Sequence, residues 1–291
     1  MDIDPTLRFS PSRLTKYSNC HQRGHYEYGM QLGVTGKATP NMKLGTIVHR
    51  FLELWHAKGI SPQEAFTNHI MKEFQAYDEK LLSMTALTLM TRYVNTYKND
   101  NDKFTVGQAE HEMLVPATTY KGRKIWLHGI LDLVVTNEYN ECGVWDHKTS
   151  STASWTNDTV LFDTQMSQYL CMLFLNGDEP KFGTINQLYT GITKLENVAS
   201  APQDKLFSRI TIRPSLIRIE EWLARLLQRI DFILDETHIH KNMGSHCAWC
   251  PFKQACNLEL EGHSNVEYLK ANFAPRGQEK FTITVDLSEI E

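Results

Sequence analysis

The chain has 291 residues, 41% hydrophobic and 22% charged, with 16 Gly and 10 Pro; this balance excludes a disordered, collagenous or low-complexity chain and allows one large domain or two small ones. Thirty Lys and Arg against 34 Asp and Glu leave a net charge of −4, so any nucleic-acid contact must come from a local basic groove rather than from bulk charge. No apolar run approaches the ~20 residues that span a bilayer, and the stretch Met1–Ser10 has neither the basic nor the apolar region of a secretion signal; the expectation is a cytoplasmic protein without a membrane partner, in a host cytoplasm if it is viral.

Ser10 and Pro11 form an N-cap and N1 pair that opens a short helix to about Cys20. A second helix, from about Asn41 to Gly59, carries Leu44, Ile47, Val48, Phe51, Leu52 and Trp55 on one stripe. Ser61, Pro62 and Glu64 signal a third helix through about Ala76, and a further helical segment runs from about Lys80 to Tyr97. From Phe104 the texture turns β-branched and aromatic, predicting strands at about 106–117, 123–136 and 143–149 with turns at Lys121-Gly122 and Glu138-Tyr139-Asn140. A helix at about 161–174, strands at 183–192 and 206–212, a long helix from Pro214-Ser215 to Asp235 and a late strand at 281–287 complete the reading. The order predicts an α/β chain with a mixed sheet. It is expected to be one domain over 1–291: a helical segment (1–103), a sheet core (104–213), a long helix with a cysteine clip (214–262) and a tail (263–291).

A turn centred on Tyr139 pairs residues whose numbers sum to 278, which puts Asp132 opposite Asp146 on the neighbouring strand. Asp146 and Lys148, two apart, emerge on one face while His147 points to the other. Apposed carboxylates repel unless a cation sits between them, and hard oxygen ligands suit Mg²⁺ or Mn²⁺. Such a cation acidifies water and neutralises phosphate charge, and an adjacent Lys stabilises the transition state, so these are the parts of a phosphodiester hydrolase. The competing reading is a solvated salt-bridge network. Asp132 weighs against it, because it interrupts the apolar run Ile130–Val135, where an unpartnered charge is costly.

Gly45-Thr46-Ile47-Val48-His49, Asp132, Asp146-His147-Lys148 and Gln165-Met166-Ser167-Gln168-Tyr169 stand in the order of the G-x-x-x-H, D, D/E-x-K and Q-x-x-x-Y motifs. The set resembles the PD-(D/E)XK nucleases, in particular the RecB-like branch with the AddAB nuclease subunits and CRISPR-associated exonucleases. It covers about half of the chain. The resemblance implies a restriction-endonuclease-like core, divalent metal held by His49, Asp132, Asp146 and the His147 carbonyl, and a catalytic trio of Asp132, Asp146 and Lys148. The residues themselves support His49 only partly, since it falls beyond the edge of the apolar stripe. Gln165 and Tyr169, one turn apart, are candidates for DNA contact; a core tyrosine is the plainer alternative.

Cys247, Cys250 and Cys256 form C-x2-C-x5-C, with Cys20 the natural fourth thiolate, and this pattern reads as metal binding rather than disulfides. Four thiolates suit zinc and iron-sulfur clusters equally. The resemblance to iron-sulfur members of the RecB-like branch implies a 4Fe-4S cluster. Cys142 and Cys171 read as small buried hydrophobes. Glu110 and Glu112 share a strand face and could lie near the metal, but acidic residues on an edge strand usually face water, so both are left outside the site; Glu53, four residues from His49, could orient it or be solvated.

With no Walker-type phosphate loop, any unwinding is expected from a separate helicase or recombination partner. The expected function is a metal-dependent DNA exonuclease preferring single-stranded ends. The alternative is a noncatalytic DNA-binding or assembly subunit of a helicase-nuclease complex.

Overall fold

A computed structural model describes residues 4–34, 39–98, 103–150, 155–189, 195–202, 205–235 and 239–276. They group into two compact units, one of residues 38–227 and one of residues 1–37 with 228–291. The strand expected at 281–287 lies outside the described residues. Among those described, no helix is long and apolar enough to cross a membrane.

In the smaller unit the expected first helix is α1 (Pro11–Asn19), where Ser10 Oγ accepts the Arg13 N–H. Leu32–Gly33 pairs antiparallel with Ala274–Pro275. Tyr26, Phe252, Ala255 and Leu269 form a small core.

The larger unit opens with α2 (Pro40–Lys58), capped by Thr39 and ended by Gly59 in the left-handed region. The predicted apolar stripe is its inner face: Leu44, Ile47, Val48, Phe51 and Leu52 are buried, and Trp55 packs partly buried against the same core. Each such side chain contributes roughly 1.5–3 kcal/mol on full burial. Ser61 caps the next helical run as expected, but the run contains a π turn at Phe66–Ile70 and ends at Glu73, three residues short of Ala76. Helix α3 (Tyr77–Thr96) packs on α2 through Leu89, Met90 and Tyr93.

The sheet is built from β1 (Phe104–Tyr120), β2 (Arg123–Asn137), β3 (Cys142–Ser150), β4 (Pro180–Tyr189) and β5 (Phe207–Ile212), in that spatial order. β3 and β4 run parallel and the other neighbours antiparallel, so the sheet is mixed. Helix α4 (Thr164–Leu175) connects β3 to β4, the crossover that a parallel pair needs. The expected single helix at 161–174 is two pieces, because Asp163 caps a new start with its side chain on the Met166 N–H. Pro214-Ser215 is followed by the long helix Leu216–Leu234. The result is a mixed α/β chain with a central sheet flanked by helices, consistent with the restriction-endonuclease-like fold.

Candidate active site

The β2–β3 ladder has the predicted register, with Thr136↔Cys142, Val135↔Gly143, Val134↔Val144 and Leu133↔Trp145. Its last pair is Leu133↔Trp145. Asp132 and Asp146 follow it at the mouth of the hairpin, where Asp132 Oδ2 accepts the His147 backbone N–H at 2.5 Å. A side-chain carboxylate thus takes a main-chain donor.

Helix α2 reaches the sheet because Gly45 has no side chain: a Cβ there would lie 2.7 Å from Thr149 Oγ1 on β3. One turn further, His49 Nδ1 stands 3.7 Å from Asp132 Oδ1. His49 is therefore at the site and not simply solvated. Glu53 does not orient it; its carboxylate accepts from Arg50 at 2.6 Å.

Glu110 is the third member, and sequence reasoning left it outside. One ligand atom from each of His49, Glu110 and Asp132 lies within 4.8 Å of the others. Glu112 instead meets His128 at 2.9 Å. Burial opposes ionisation of Asp132, but the facing His49 and the His147 N–H hold its carboxyl below the ordinary range. Glu110 is pushed up to about 7, first by desolvation and then by the Asp132 charge. Two carboxylates and an imidazole of this spacing form a donor set for a hard divalent cation.

Asp146 is engaged differently. Its Oδ2 lies 2.7 Å from Lys148 Nζ and its Oδ1 accepts from Gln165 Nε2 at 3.0 Å. Gln165 Oε1 also accepts from Lys148 Nζ at 2.6 Å, and Gln165 Nε2 donates to the Tyr169 hydroxyl at 2.8 Å. Gln165 and Tyr169 thus share a face as expected, and that face is turned to the aspartate-lysine pair. Tyr169 is buried. Burial raises the Asp146 carboxyl, and although burial works against the Lys148 ammonium, the Asp146 charge keeps it raised and protonated. The His147 ring points away from this pair, with Nδ1 2.9 Å from Asn186 Nδ2.

In the smaller unit, Cys20, Cys247, Cys250 and Cys256 line one cavity together with Arg23, Lys241 and Lys253. Cys20 follows α1, Cys250 closes the 3-10 turn Ser245–Trp249, and Cys256 sits on the helix Lys253–Leu260. Burial pushes the Cys256 thiol up to about 11. Cys171 is buried elsewhere, its Sγ 3.6 Å from the Ile219 carbonyl, and Cys142 is half-buried at the start of β3.

Among solved structures, the chain is similar to a putative exonuclease from Eubacterium rectale, with 13% identity over 86% of this chain and 92% of that one and a TM-score of 0.49. It is also similar to a phage-related exonuclease from Haemophilus somnus (14% identity, 80% and 97% coverage, TM-score 0.29) and to an alkaline exonuclease from Laribacter hongkongensis (13%, 62% and 96%, 0.25). No curated protein sequence matches significantly. The family model of the PD-(D/E)XK nuclease superfamily spans residues 8–257, and with that match the chain belongs to the PD-(D/E)XK nuclease superfamily.

Proposed function

We propose that this chain is a metal-dependent DNA exonuclease of the RecB-like branch, acting on single-stranded ends and stabilised by a 4Fe-4S cluster. The observation that carries the catalytic part is the placement of the His49, Glu110 and Asp132 donors beside the Asp146, Lys148 and Gln165 set. His49, Glu110 and Asp132, with Asp146 and the His147 carbonyl completing the set, would hold Mg²⁺ or Mn²⁺. A bound divalent cation supplies Lewis acidity and neutralises phosphate charge.

The chain's own groups supply the rest. Lys148 is kept charged by Asp146, so its ammonium stabilises negative charge growing on the scissile phosphate. Gln165 spends its amide on both Asp146 and Lys148, which fixes their rotamers before substrate arrives. Gln165 and Tyr169 are also the side chains offered to a nucleotide beside the pair. Asp132 is oriented by the His147 N–H, leaving its other oxygen towards His49.

Support for the cluster is the convergence of four cysteines on one cavity whose lining includes Arg23, Lys241 and Lys253, a cationic wall suited to an anionic group. One cysteine ahead of the core and C-x2-C-x5-C behind it is the arrangement that resembles the iron-sulfur members of the branch. A helicase or recombination protein is the partner class this reading implies.

The test is digestion of end-labelled single-stranded and duplex DNA, linear and circular, with Mg²⁺, Mn²⁺ or chelator. Metal-dependent shortening of linear single strands, with circles spared, is the expected result. Cleavage of circles would make the enzyme an endonuclease, and no cleavage under any condition would sink the catalytic reading.

A further inference from the structure

Behind the site, on the sheet face opposite Lys148, lies a polar row, buried at His147 and Asn186 and half-buried at Arg209, that the reading above does not use. His147 on β3 pairs with Asn186 on β4, and Asn186 pairs with Arg209 on β5, so the three stand in direct register across three strands. A row of polar groups inside a sheet is costly unless every member has a partner.

The donor inventory fixes how the row is wired. Arginine only donates, so the atom of Asn186 that meets Arg209 Nε at 3.1 Å is Oδ1. The amide nitrogen is thereby turned to His147 Nδ1 at 2.9 Å and to the Tyr93 hydroxyl at 3.0 Å. An amide nitrogen also only donates, so His147 Nδ1 accepts and the ring carries its proton on Nε2. The Tyr93 oxygen receives Arg209 Nη2 at 2.7 Å as well, which leaves its own proton for His56 Nε2 at 3.1 Å.

The row is also clamped mechanically. The Arg209 guanidinium lies 3.5 Å from the centre of the Tyr97 ring and 4.4 Å from that of Trp145. The His56 ring stacks on that of His147 with 5.6 Å between centroids. The row meets the site at His147 in two ways: its main-chain N–H holds Asp132, and its ring lies edge-on to the His49 ring with 5.9 Å between centroids.

We propose that Arg209 is a positioning residue for the nuclease site: through Asn186 it sets the His147 ring, and through His147 it holds the Asp132 carboxylate toward His49 and Glu110. This role rests on the nuclease reading.

The test uses the full chain with three readouts: imidazole ¹⁵N NMR, Mn²⁺ binding and steady-state cleavage. In the parent, His147 reports an Nε2–H ring. Asn186→Asp keeps the shape but replaces a donor with an acceptor, so the His147 proton moves to Nδ1. Mn²⁺ affinity and kcat then fall about tenfold or more, while KM for DNA stays within about twofold. Arg209→Met releases the amide and gives mixed His147 tautomers with a comparable loss. Arg209→Lys recovers part of it, since one donor returns but not the fork. If Arg209→Met fails to fold, Asn186→Asp decides alone. A switched tautomer with unchanged Mn²⁺ affinity and kcat overturns the positioning role, as does a fall in kcat with the tautomer unmoved. A parent that neither binds Mn²⁺ nor cleaves DNA overturns the nuclease reading itself, and the positioning role with it.

Discussion

Glu110 lies across from Asp132, in the rung of the β1–β2 ladder between Ala109↔Leu133 and His111↔Leu131, and its backbone is left-handed, with φ of 46°. A left-handed glutamate in the middle of a strand is strained, at a cost of order 1–3 kcal/mol. Such strain is retained where it aims a side chain, and here the side chain is aimed at Asp132 and His49.

Glu110→Asn separates the two roles, because asparagine tolerates this backbone and removes the charge. The metal-free variant is expected to gain about 1 kcal/mol of stability, read as a higher Tm, while its Mn²⁺ affinity drops. Unchanged Mn²⁺ titrations would place Glu110 outside the metal site.

The same residue sets a pH dependence. Folding raises the Glu110 carboxyl from 4.5 to about 7, so the folded chain holds this proton more tightly than the unfolded one. The stability it contributes is complete below pH 4.5 and is lost as pH rises through 7. Water at the exposed side of Glu110 screens part of this effect. Mn²⁺ must displace the proton, so its affinity climbs between pH 5 and 7 and levels off above. Glu110→Gln is expected to flatten that climb; a parent profile that is already flat would remove Glu110 as the titrating group.

Asp146→Asn and Lys148→Ala are each expected to lower kcat by about 10²-fold or more with the fold intact. Gln165→Leu should have a smaller effect, since it removes the bridge that orients the pair and a nucleotide contact but neither charge of the pair. Circular dichroism alongside single-turnover cleavage checks this, and a Lys148→Ala protein that turns over like the parent would take Lys148 out of the chemistry.

Gly45→Val tests the close approach of α2 to β3. A side chain there collides with Thr149, and overpacking of this kind costs about 1–3 kcal/mol. Because His49 is one turn away on the same helix, Mn²⁺ affinity should fall along with Tm. Loss of stability with unaltered metal binding would show that the helix is free to shift without carrying His49.

On the iron-sulfur reading, anaerobically purified protein is expected to be brown and to contain iron, and Cys250→Ser to lose both and to lower the Tm, because the cavity loses one of four thiolates. Cys171→Ser, buried away from that cavity, should keep the iron. One equivalent of zinc with no iron in the parent would replace the iron-sulfur assignment.

The hairpin of Asp132 and Asp146 was legible because it is local: one turn at Tyr139 sets the register, and the ladder follows it to Leu133↔Trp145. The apolar stripe of α2 and the alternation of Asp146, His147 and Lys148 were legible for the same reason, since the period of one element fixes the faces of its side chains. Glu110 was not. Counting from the turn at Lys121-Gly122, where Tyr120 pairs with Arg123, the residue opposite Asp132 is His111. A register shift between Pro116 and Thr118 inserts one residue and moves Glu110 into that place. Pro116, a residue that lacks a ladder donor inside a strand, was the only local hint. The approach of His49 and the wiring of Arg209 to His147 depend on a helix and strands far apart in the chain, and only packing of the sheet brings them together.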